Sequence, residues 1–193
     1  MMRTVSLLAL PLLLLACSQE PEGEALETRD LEGSEAPLTN PLIERFDKAL
    51  VVVDADGLGP KGAEPFRFGA ERSEVDAALE EAFGEAPNRE RNEECGAGPM
   101  DFSQFGPLQV AYMDGELRGW FLREGDTVVT SDGVQPGVTT LEGLKLERQV
   151  RELDTTLPGE FEYTTSAFGT ITGFAEDGAN VTALQAGISC FFR

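Results

Sequence analysis

Histidine and cysteine, which carry much of protein chemistry, are scarce in this chain of 193 residues: it has no histidine and three cysteines, beside 35 acidic side chains against 15 basic ones. Without histidine there is no Ser-His-Asp or Cys-His relay and no imidazole-ligated zinc. Two phrases imitate known sites. Gly57-Leu58-Gly59-Pro60-Lys61-Gly62 follows an apolar run and matches G-x-G-x-x-G. A dinucleotide site needs a helix to begin there, with its free N–H groups facing a pyrophosphate. Pro60 removes one such donor, Pro65 falls in the first turns of that helix, and Phe66-Arg67-Phe68 reads as extended. A Gly/Pro hairpin loop is expected instead. Asp54-Ala55-Asp56-Gly57 resembles the opening of a calcium loop, but the fifth position is Leu58 and the twelfth is Pro65. The pattern needs an oxygen ligand at the fifth and a bidentate Glu at the twelfth, so a turn is expected here too. Paired carboxylates for glycoside hydrolysis stay open because acids are so numerous, yet no pair stands out. No catalytic residue, cofactor or metal site is therefore assigned.

Cys17 has a different chemistry in prospect. Arg3 supplies a positive start, Val5 to Leu15 is apolar except for Ser6 and Pro11, and small Ala16 precedes the cysteine. These are the parts of a secretory signal. The apolar run of 11 residues is too short for a spanning helix, which needs roughly 20. Leu14-Leu15-Ala16-Cys17 resembles the bacterial lipobox, in which the thiol receives a diacylglyceryl group and becomes the new N-terminus. The expectation is a signal peptide over 1–16, lipidation at Cys17, and the lipid bilayer as a partner through the acyl chains. An ordinary secretory signal with a chance cysteine is the alternative. Ser18, rather than Asp, follows Cys17, which resembles the outer-membrane sorting pattern of diderm bacteria.

Loss of Arg3 with the signal leaves 14 basic against 35 acidic residues, a net charge of −21. Nucleic acid and anionic headgroups would both be repelled. Residues 17–40 read as the lipidated cysteine and a disordered acidic tether. Ser18 to Asn40 has seven acidic residues, one basic residue and no aromatic, too little apolar surface to offset the entropy of ordering it. As a flexible coil it spans roughly 25–30 Å.

Once Cys17 is lipidated, Cys95 and Cys190 remain as an even pair in an oxidising compartment, and a structural disulfide is expected. The sharper alternative is a reactive Cys95 thiolate. It lacks a histidine base, and Glu93 and Glu94 would raise its pKa rather than lower it.

The elements that must position these residues lie in 41–193, which reads as a single α+β domain. Ala49 to Asp56 predicts a buried strand. Val75, Ala78, Leu79, Ala82 and Phe83 lie on one helical face, with Ser73 and Asp76 as a capping pair and Gly84 as the stop. Leu108–Met113 and Glu116–Leu122 flank Asp114-Gly115, a two-residue hairpin signal, and Thr127–Thr130 would add a third strand. Trp120, in the hairpin, is expected in the core rather than as a ligand platform. A second short helix opens after Gly137 with Thr139 and Glu142 as its capping pair. Strands follow near Val150–Thr155, Glu160–Thr165, Thr170–Ala175 and Val181–Phe192. The expected fold class is thus an antiparallel sheet with two helices, and the order predicts two helix-plus-meander repeats over 66–131 and 134–193.

Taken together, F-G-A-E-R-S-E-V (68–75), E-C-G-A-G-P (94–99), R-G-W (118–120), T-S-D-G-V-Q-P-G-V (130–138), L-P-G-E-F (157–161) and A-G-I-S-C-F-F-R (186–193) resemble a family of small exported bacterial proteins of unknown function. The resemblance covers most of 57–193 and implies pairing of the family's two cysteine positions, here Cys95 and Cys190. Some relatives carry the name aspartate-semialdehyde dehydrogenase. That enzyme resembles a much longer protein using a Cys nucleophile with a His base, and this chain lacks the His, the length and the Rossmann helix. In element order the chain is also similar to the repeats of the β-lactamase-inhibitor-protein and outer-membrane-assembly-lipoprotein group, which are binding modules; this is analogy. The functional expectation is an exported, membrane-anchored, non-enzymatic module that binds an envelope protein or envelope component through the open face of its sheet. The alternatives are a small-ligand or Ca²⁺-binding domain, and an enzyme working without His or Cys.

Overall fold

The computed structural model describes residues 41–190; the expected signal peptide, Cys17, the expected tether and the last three residues lie outside them. The elements in chain order are α1 (Pro41–Glu44), β1 (Val51–Asp54), β2 (Gly57–Pro60), β3 (Phe66–Arg67), α2 (Arg72–Phe83), β4 (Asn88–Asn92), β5 (Met100–Phe105), β6 (Leu108–Met113), β7 (Glu116–Arg123), β8 (Val128–Thr130), α3 (Leu141–Glu147), β9 (Val150–Glu152), β10 (Glu160–Thr164), β11 (Thr170–Phe174) and β12 (Ala183–Gly187). The fold is α+β. An eight-stranded antiparallel sheet runs β4-β5-β6-β7-β12-β11-β10-β9, and a four-stranded sheet runs β3-β2-β1-β8. In the large sheet each half is a four-strand meander preceded by a helix. The two meanders meet through their last strands, β7 against β12.

One face of the large sheet carries the core. Phe105, Leu108, Val110, Trp120, Leu122, Phe161, Ile171 and Leu184 pack there against Val51, Val53 and Leu58 of the small sheet, Val75 and Leu79 of α2, and Leu141 and Leu144 of α3. Burying a Val, Leu, Ile or Phe side chain contributes about 1.5–3 kcal/mol, so this shared layer is the main source of stability. β1 is fully buried on its inner side and partly covered on the other, where Val52 packs with Ile43, Ala49, Phe46 and Val129. Trp120 is 2% exposed and its indole N–H donates to the Asp54 carbonyl at 2.8 Å, which ties the two sheets together as a core residue would. Among the described residues no helix is long and apolar enough to cross a membrane.

Several local expectations need correction. Gly57–Pro60 is strand β2, not a loop. The chain reverses at Ala55-Asp56, where the Ala55 N–H donates to Asp54 Oδ1 at 2.7 Å, and Gly57 already pairs with Asp54. Gly57 is required because a Cβ there would lie 2.0 Å from the Phe66 carbonyl oxygen of β3. The N-cap of α2 is Glu71, with no side-chain cap bond. Instead, the Arg72 N–H donates to the Gly115 carbonyl at 2.8 Å, so the hairpin turn satisfies the helix start, and Asp76 is released to face the sheet. In α3 the cap is Thr140, whose Oγ1 accepts from the Gly143 N–H at 3.1 Å. Thr139 Oγ1 accepts from the Gln135 N–H at 3.0 Å. β8 is parallel to β1 in the small sheet rather than a third meander strand, because Val128 and Val129 are both fully buried. The Asp114-Gly115 hairpin has positive φ at both residues, 54° and 82°, as a type I′ turn requires. Gly84 ends α2 at φ 72°.

Candidate functional site

Strand alternation sends one set of side chains from the large sheet away from the core. Paired rows across this open face include Phe102 and Ala111, Gln109 and Phe121, Phe121 and Gln185, Thr172 and Gln185, and Glu162 and Thr172. The chain after β12 crosses the face. Gly187, at φ 75°, turns it out of the strand, and the Ile188 N–H donates to the Arg118 carbonyl at 2.8 Å. Gly119 makes the crossing possible. A Cβ at Gly119 would sit 2.4 Å from the Ile188 oxygen.

The crossing segment ends in a disulfide between Cys190 and Cys95, with Cα atoms 4.6 Å apart. Cys95 lies in the loop between β4 and β5, which turns through Gly98 at φ 110°. Cys95, Met100, Phe102 and Ala111, with Met113 and Cys190 against them, form a second apolar cluster on the open face. The E-C-G-A-G-P, R-G-W and A-G-I-S-C phrases therefore build one device: a disulfide clamp laid over the sheet. The pairing removes Cys95 from thiolate chemistry.

Two depressions flank the crossing segment. One, about 170 Å³, is lined by Phe102, Ala111, Phe121, Arg123 and Ile188. The other, about 530 Å³, lies between the Cys95 loop and β10–β12 and is lined by Gly96, Ala97, Glu162, Thr172, Gln185 and Ser189 among others. Gln185 is 4% exposed, and among the described residues its buried Oε1 has no hydrogen-bond partner. Leaving a buried polar group unsatisfied costs about 1–3 kcal/mol. Glu162, two strands away beyond Thr172, has a side chain 25% exposed, and its Oε2 lies 2.5 Å from Arg151 Nη2. No pattern in the sequence marked Gln185 or Glu162; only the pairing register brings them to one cleft.

The other charged centres are used structurally. Asp76 accepts from Tyr112 Oη at 2.9 Å, Ser103 Oγ at 3.1 Å and Arg89 Nη2 at 3.1 Å, pinning α2 to the sheet. Asp132 accepts from Ser166 Oγ at 2.6 Å and lies 3.5 Å from Arg148 Nη2, fixing the T-S-D-G loop. Asp56 of the calcium-like phrase is paired with Arg67. Among the described residues no group of three or more His, Cys, Asp or Glu could hold a metal ion.

The chain was compared with family models, curated proteins and solved structures, and none matches it.

Proposed function

We propose that this chain is an exported lipoprotein, anchored through acylated Cys17, whose domain engages an envelope protein through the open face of the eight-stranded sheet. The observation that carries the reading is the clamp. A disulfide and two glycines hold a chain segment across the sheet face opposite the core and shape an apolar depression and a polar cleft on either side of it. Two neighbouring depressions of different polarity suit a protein surface that presents an apolar side chain beside a polar one. The chain without its expected signal carries 14 basic against 35 acidic residues, an excess that favours a partner with basic character. The lipobox-like run ending at Cys17 and the acidic stretch after it support a position at a membrane, and the helix-plus-meander order supports the analogy with exported binding modules.

The experiment is cross-linking in cells followed by affinity recovery and mass spectrometry. One partner in near-stoichiometric yield, lost with Cys17→Ala, is expected; recovery at background overturns the reading.

A second reading is a small-ligand domain. It is favoured by the cleft volume of about 530 Å³, which lies within the range of ligand sites. It predicts thermal protection by a purified small molecule with no protein captured.

A further inference from the structure

Gln185 lines the cleft beside the Cys95 loop, and among the described residues its carboxamide oxygen has no hydrogen-bond partner. Resting on the reading of the open face as a protein-docking surface, we propose that this cleft seats a basic side chain of the partner, a lysine ammonium or arginine guanidinium. Gln185 Oε1 and the free oxygen of Glu162 are its acceptors.

Gln185 occupies the middle of β12, between Phe121 of β7 and Thr172 of β11. An apolar residue there would leave no polar atom to satisfy. The chain instead keeps an amide that is 4% exposed and whose oxygen has no partner among the described residues. A buried acceptor of this kind is completed by a donor brought from outside.

The neighbours select the donor's charge. Glu162 lines the same cleft from β10, and Thr172 and Ser189, whose hydroxyls can accept, are among its other lining residues. A carboxylate beside unpaired acceptors disfavours an anion and favours a cation with several N–H groups, the inventory of Lys and Arg. Arg151 already meets Glu162 Oε2, but Arg151 is not among the residues that line the cleft, and its bond leaves Glu162 Oε1 as an acceptor. The apolar depression across the crossing segment would take the residue next to the basic one.

The test uses the exported full-length protein in detergent, with Nα-acetyl-lysine N-methylamide as probe and Nα-acetyl-leucine N-methylamide as control. The readout is the Gln185 carboxamide signal in ¹H–¹⁵N spectra, identified by its loss in Gln185→Leu. The lysine probe is expected to shift that signal in a dose-dependent way and to bind at least tenfold more tightly than the leucine control. Gln185→Leu is expected to abolish the response while leaving the urea midpoint unchanged or raised, and Glu162→Gln to weaken binding at least fivefold. Equal binding of both probes, probe binding retained in Gln185→Leu, or full affinity in Glu162→Gln would overturn the proposal. So would a lowered urea midpoint in Gln185→Leu, which would make the amide a structural group. Failure of the parent reading looks different. Probe binding without any cross-linked partner in cells overturns protein docking and keeps the cation seat; a captured partner with no probe response does the reverse.

Discussion

Asp76 sits under β5 and β6 with donors from four side chains around one carboxylate: Arg72, Arg89, Ser103 and Tyr112. Removing a carboxylate from such a buried arrangement strands the donors. Because the Arg89 side chain is 56% exposed, part of the loss is made good by water. Asp76→Ala is expected to cost about 3 kcal/mol in urea denaturation; a cost below about 1 kcal/mol would show that the network is not holding α2. The two tyrosines of the chain give a pH test. Burial, then the Asp76 carboxylate, holds the Tyr112 phenol far above its ordinary value, and burial does the same for Tyr163. A raised folded pKa stabilises the protein fully below the unfolded value, about 10, and that contribution is lost as pH rises toward the folded value. Stability should therefore fall above about pH 10, with tyrosinate absorbance appearing only together with unfolding. Tyrosinate formed in the folded protein would contradict the burial of both rings.

At the scale of elements, the clamp is the feature most open to test. The disulfide spans a sequence separation of 95, and reducing it is expected to cost about 4 kcal/mol on the chain-entropy model, measured as the difference in urea stability with and without reductant. Gly119→Ala sets a Cβ against the Ile188 oxygen at 2.4 Å, and both are held by backbone. It is expected to cost about 1–3 kcal/mol and to raise thiol accessibility, read by alkylation. The same elements show which parts of the fold were legible. α2, the Asp114-Gly115 hairpin and the second meander follow from periodicity and turn chemistry, because their apolar residues face the core. β4 and β5 were missed. β4 is wholly exposed, so nothing in its composition distinguishes it from a loop. In β5 the alternation is inverted: Asp101 and Ser103 face α2 to meet Arg72 and Asp76, while Met100 and Phe102 face the open side beneath the clamp. The cysteines were legible as a pair, but the cleft was not. Gln185, Glu162 and Thr172 come from three strands, and no spacing along the chain brings them together.

For the whole molecule, two matched meanders joined at β7 and β12 leave one face for the core and one for the clamp. The account predicts that the first is for stability and the second for contact. Cys17→Ala should move the protein from the membrane fraction to the soluble one without lowering the melting temperature of the domain; continued membrane association would remove the anchor. The central claim is that contact occurs on the open face. The most direct measurement is site-specific photo-cross-linking in cells. A photoreactive residue replaces Thr170, exposed on the open side of β11, or Glu81, exposed on α2. The account predicts one discrete cross-linked species from position 170 and none from position 81. Cross-linking from position 81 alone, or equally from both, would contradict it.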